Sequence, residues 1–137
     1  MRIIPATPER IWSAWTSPSE LPAFFAHPGT SFQRETLTMD VRPGGALRLT
    51  VIEADGERVT TDAVYVDVDE PALLSWHWTV AGAAGAGVTT IALTEVAGGT
   101  EVTSRMVGHL GPAAAIGYRR GATASLEALE HHIAGTT

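Results

Sequence analysis

The stretch PAAAIGYRRGATASLEALEHHIA, Pro112 to Ala134, decides the fold. Ala115, Tyr118, Ala122, Ser125, Leu126, Leu129 and Ile133 recur at helical offsets and so form one apolar stripe. Arg120, Glu127 and His131 fall on the other side. The roughly seventy residues before this helix read almost wholly as strands. That order predicts an α+β fold in which a curved antiparallel sheet is closed by a terminal helix. A helix laid along the concave face of such a sheet can enclose a pocket.

Working back from the helix, apolar residues alternate in phase along each predicted strand. Val102, Ser104 and Met106 follow the turn Ala97-Gly98-Gly99, and Thr89, Ile91 and Leu93 precede it. Leu74, Trp76 and Trp78 share one face, with His77 on the other. Arg58 to Val68 is read as a strand with Val64, Val66 and Val68 on its apolar side, ending at Asp69-Glu70-Pro71. Leu47, Leu49 and Val51 alternate against Arg48 and Thr50. Across the turn Arg42-Pro43-Gly44-Gly45 they pair with a strand that runs from Phe32 through Leu37, Met39 and Val41. Ala81 to Gly87 contains only small residues and is expected to be a mobile loop.

Two short helices are expected near the start. Thr7 before Pro8 places a capping hydroxyl and a fixed φ at a helix N-terminus, and Pro8, Ile11, Trp12 and Trp15 then share a face. Ser17 with Glu20 has the spacing of a capping box, with Leu21, Phe24 and Phe25 as the apolar side and His27-Pro28-Gly29 as the stop. Met1 to Pro5 leaves room for only a very short first strand, whose edge could pair in a homodimer.

The chain has 137 residues, the size of one domain over 1–137 with one core. No apolar run is long enough to span a bilayer or resembles a signal peptide, so the expected location is the cytoplasm. The absence of cysteine excludes disulfides, thiolate metal sites and cysteine nucleophiles. All nine basic residues are arginines, so lysine Schiff-base chemistry is excluded as well. The formal charge of -6, with only Arg119-Arg120 adjacent, argues against nucleic acid as partner.

No enzyme or metal motif emerges. His131 and His132 are adjacent on a helix, point about 100° apart and read as solvated residues of a last turn. His27 and His109 sit at segment ends with no second ligand at a sensible spacing, and His77 falls on the sheet face opposite Trp76 and Trp78. Asp67, Asp69 and Glu70 cluster at a turn, no serine sits in a nucleophile-elbow context, and the glycine-rich stretches lack a phosphate-loop lysine. No cofactor is expected.

The ordered segments resemble the Hsp90-ATPase-activator homologue group of the START-like superfamily. The resemblance lies in Ala6-Thr7-Pro8-Glu9-Arg10-Ile11-Trp12, in Phe24-Phe25 before Pro28-Gly29, and in Arg42-Pro43-Gly44-Gly45. It continues in Pro71, Leu74, Trp76 and Trp78, and in Gly98-Gly99-Thr100 ahead of Val102. It implies a helix-grip fold, with the sheet wrapped around the long terminal helix and a cavity between them. Superfamily members bind lipids, polyketides and other apolar ligands, and some catalyse cyclisation or dehydration. The family's terminal helix commonly carries glycine followed by tryptophan; here Gly121, Leu126 and Leu129 match and Ala122 replaces the tryptophan. An indole exchanged for a methyl either enlarges the cavity or leaves room for Trp12, Trp15, Trp76 or Trp78.

The pocket-facing set expected from alternation is Leu47, Leu49, Trp76, Trp78, Ile91, Ser104 and Met106 from the sheet, with Tyr118, Ala122 and Leu126 from the helix. Ser104 and the Tyr118 hydroxyl could orient a ligand, and Arg119 at the edge of the stripe could meet an anionic group. The leading expectation is a protein that binds a mostly apolar small molecule. A cyclase or dehydratase acting on a polyketide-like substrate and a module that binds a chaperone or itself are the alternatives. Gly117 and Gly121 each cost about 1 kcal/mol against alanine in a helix interior, so the first half of the helix is expected to be the one that opens.

Overall fold

The elements run β1 (Arg2–Ile4), α1 (Pro8–Thr16), β2 (Ser31–Phe32), β3 (Thr38–Met39), β4 (Ala46–Ile52), β5 (Arg58–Asp69), β6 (Leu73–Val80), β7 (Ala86–Val96), β8 (Gly99–His109) and α2 (Pro112–Thr136). The computed structural model describes residues 2–25, 31–80, 86–109 and 112–136, and in α2 the side chains of residues 123–135. Among them, eight strands form one antiparallel sheet in the order β1-β8-β7-β6-β5-β4-β2, with β3 also paired to β4. The architecture is the α+β helix-grip fold expected from the sequence. No helix among the described residues is long and apolar enough to cross a membrane.

Local chemistry accounts for α1. Thr7 Oγ1 accepts the Arg10 amide at 3.2 Å, Pro8 sets the first turn, and Pro8, Ile11, Trp12, Ala14 and Trp15 are buried. The capping box expected at Ser17 does not form. Ser17 is instead the C-cap of α1, its hydroxyl lies 2.8 Å from that of Ser19, and Leu21–Ala23 is a single 3-10 turn. Glu20 reaches away from its own backbone to Arg10 at 2.7 Å and His132 at 2.9 Å, because charge-assisted contacts outcompete a local amide. His27-Pro28-Gly29 lies outside the described residues.

The strand expected from Phe32 is also interrupted. β2 and β3 flank a 3-10 turn, Arg34–Thr36, in which the Thr36 amide and hydroxyl donate to the Gln33 carbonyl at 3.2 and 2.9 Å. A second departure concerns the face of β5. Val64 and Val66 are 47% and 49% exposed, while Ala63 and Tyr65 are buried. The register shifts between Tyr65 and Val68, and this bulge reverses the alternation so that Val68 returns to the core. Ser75, fully buried opposite the bulge, accepts the Asp67 amide at 3.0 Å and donates to Asp67 Oδ2 at 2.9 Å. Ala86 and Gly87, expected in a loop, belong to β7; residues 81–85 lie outside the described ones.

β1 is short, as expected, and is held to β8 by the pairs Arg2 with Val102 and Ile4 with Thr100. Thr100 Oγ1 donates to the Ala6 carbonyl at 2.7 Å. Gly99 has a φ of +148° and packs so closely that a Cβ there would run into the Ile4 carbonyl, so only glycine fits.

The second half of α2 is anchored through its predicted stripe. Leu126, Leu129 and Ile133 are buried in the common core, each contributing roughly 1.5–3 kcal/mol, while Glu127 and His131 are exposed. Arg2 pairs with Glu130 at 2.9 Å across their exposed edges. His132 departs from the solvated residue expected: it is half-buried and held by Glu20. Burial alone would raise the Glu20 carboxyl, but the combined contacts with Arg10 and His132 outweigh it and hold the group below its ordinary value.

Candidate functional site

Three cross-strand rows build the inner face of the sheet. One runs Leu47–Ala63–Trp78–Gly87–Gly108, the next Tyr65–Trp76–Thr89–Met106, and the third Val68–Leu74–Ile91–Ser104. In the first row a tryptophan stands between two small residues. A Cβ on Gly87 would lie 3.0 Å from Trp78 Cζ2, 3.0 Å from the Val107 carbonyl and 3.1 Å from Met106 Sδ, so the indole lies close over a bare backbone. The Trp78 indole N–H donates to Thr89 Oγ1 at 2.9 Å. This buried donor is therefore satisfied from within the sheet.

A second aromatic group sits where α1 meets the sheet. The Trp15 ring lies 6.0 Å from Trp76 and 6.0 Å from Phe25, and Phe25 lies 6.4 Å from Trp76. Phe24 meets Trp15 edge-on at 5.0 Å. Trp15 and Trp76 are buried and Phe25 is half-buried. The Ser125 hydroxyl lies 3.5 Å from the Phe25 carbonyl, which brings α2 beside this group. Unlike Trp78, Trp15 has a buried Nε1 with no acceptor among the described residues. An unsatisfied buried donor costs about 1–3 kcal/mol.

Of the residues expected to face a pocket, Leu47, Leu49, Trp76, Trp78 and Ile91 are buried on the inner face, and Ser104 and Met106 are half-buried there at the β8 side. Leu126 joins the same core. Tyr118, Arg119 and Ala122 lie in the first half of α2, and their side chains fall outside the described residues. The pocket-facing set expected from sequence left out Tyr65 and Thr89 on the inner face and Trp15 and Phe25, which pack against it. Trp15 carried a usable signal, since an indole donor on the wholly apolar face of α1 needs an acceptor from elsewhere. Tyr65 was hidden by the alternating valines around it.

The chemistry of this face is apolar and aromatic. Burial first, and the Asp40 carboxylate second, push the Tyr65 phenol up to about 12, so it stays neutral. No three His, Cys, Asp or Glu side chains gather into a metal-binding group among the described residues.

The opposite face carries a different row, Ala46–Val64–His77–Val88–Val107, across five strands. Val107 is 69% exposed. The Arg48–Asp62 pair, 3.2 Å apart, flanks this row on the β4 and β5 side.

Comparison with known proteins agrees with this architecture. A protein from Chromobacterium violaceum superposes with a TM-score of 0.85 at 22% identity, covering 96% of this chain and 92% of its own. An AHSA1 protein from Silicibacter pomeroyi gives 0.84 at 16% identity, covering 99% and 96%. An uncharacterized protein from Rhizobium leguminosarum gives 0.79 at 27% identity, covering 96% and 90%. No curated protein matches the sequence. The family model described as activator of Hsp90 ATPase homolog 1-like protein matches residues 5–134. Nearly the whole chain is thus accounted for by one family, and the protein is a member of the activator of Hsp90 ATPase homolog 1-like family.

Proposed function

We propose that this protein is a cytosolic binder of a mostly apolar small molecule, held without a cofactor between the inner sheet face and α2. One observation carries the reading. The inner face concentrates Trp15, Trp76 and Trp78, yet Ser104, Met106 and Phe25 on its margins are only half-buried. A face that served only as a core would close over its own margins, whereas ligand sites combine apolar walls with a few polar groups. Ser104 supplies a hydroxyl at that margin, and Tyr118, Arg119 and Ala122 are the helix residues proposed to complete the site. Ligand screening by thermal shift tests it. Apolar hits that stabilise the protein and lose their effect in Ala122→Trp support the reading; hits unaffected by that change and by Met106→Trp argue against it.

The outer row favours a second role for the same chain, self-association as a homodimer. A two-fold axis through His77 and parallel to the strands sets Val64 against Val88 and Ala46 against Val107 of a second copy. Val64, Val66 and Val107 are the exposed large apolar residues this pairing would cover.

A further inference from the structure

Among the described residues, the indole of Trp15 is a buried donor with no acceptor. The other inner-face indole with a described bond, Trp78, shows what the sheet does when a tryptophan is purely structural: Thr89 accepts its N–H at 2.9 Å. Around Trp15 the ring neighbours are Phe24, Phe25 and Trp76, with centroids 5.0, 6.0 and 6.0 Å away, and none of these side chains accepts a conventional hydrogen bond. Phe25 is the half-buried member of the group and forms its outer edge.

From this we infer that Trp15 Nε1 is a ligand-binding donor, and that the ligand is a flat, neutral molecule carrying a carbonyl oxygen. This inference rests on the small-molecule reading above. A carbonyl satisfies the N–H, and a conjugated body matches the rings of Phe25 and Trp76. A carboxylate fits less well beside Trp15 itself, because a buried anion needs a cation close to it. The Arg10 guanidinium of α1 is already bound to Glu20 at 2.7 Å.

Fluorenone and fluorene test it, since they share one shape and differ by the carbonyl. Calorimetric titration of the wild-type protein should give roughly tenfold tighter binding of fluorenone, and Trp15→Phe should bring the two compounds to equal affinity. In the wild-type protein the assigned Trp15 indole N–H resonance should move downfield with fluorenone and not with fluorene, a readout that does not depend on the variant folding. Equal binding of both compounds to wild type, or a preference for fluorenone that survives in Trp15→Phe, overturns the role of Trp15 and leaves the small-molecule reading standing. If neither compound binds, both fall.

Discussion

His132 Nε2 lies 2.9 Å from Glu20 Oε1 and so joins residues 112 positions apart in the chain. Arg10 reaches the same carboxylate oxygen at 2.7 Å, so one acidic side chain ties α1, the turn after it and the end of α2. The Glu20 carboxyl is held below its ordinary value of 4.5, so the folded state takes up this proton less readily than the unfolded chain. Its contribution is complete above 4.5 and is lost as pH falls through the lower folded value. Glu20→Gln should lower the Tm by about 3–6 °C near neutral pH. In thermal melts the difference from wild type should narrow as the pH is taken below 4.5, and a constant gap would contradict the clamp.

Gly87 should resist even the smallest substitution. A Cβ there presses at 3.0 Å on Trp78 and on the Val107 carbonyl, and the indole is held in place by Thr89. Gly87→Ala should destabilise the protein by about 1–2 kcal/mol in denaturant titration and shift the Trp78 indole N–H resonance. An unchanged resonance would show that the indole does not lie over residue 87.

The two halves of α2 should exchange their amides at different rates. Leu126, Leu129 and Ile133 are buried, and Ser125, Glu130 and His132 make contacts beyond the helix, whereas Gly117 and Gly121 lower the helix propensity of the first half. Exchange around residues 117–121 should be at least about tenfold faster than at Leu126–Ile133. Equal protection would refute an opening in that half.

Val107→Glu tests the outer face. The patch is small, so association of the wild type should be weak, on the order of tens of micromolar by sedimentation. The variant should be monomeric at the same concentrations while its small-molecule binding stays unchanged. A monomeric wild type would remove the dimer reading.

Much of this architecture is legible in the chain because each helix or strand signal had a local cause. The stripe of α2, the cap at Thr7 and the in-phase alternation of Leu47, Leu49, Trp76, Trp78, Ile91 and Met106 all reappear in the fold. The failures arose where a distant partner or a break in period intervened. Three valines at 64, 66 and 68 imitate one buried face, but the bulge between Tyr65 and Val68 splits them across two faces. Glu20 has the spacing of a capping residue, yet its partners lie on other elements. The aromatic group at Trp15 depends on α1 docking against β6, which no local pattern encodes.

On the proposed reading, a small apolar molecule lies against the inner face of the sheet between Trp76 and Met106. Isotope-filtered NOE measurement with bound fluorenone tests it most directly. Contacts are expected from the ligand to the Met106 methyl and the Trp76 and Phe25 rings; contacts instead to the outward Val64, Val66 and Val107 methyls would rule out binding at the inner face.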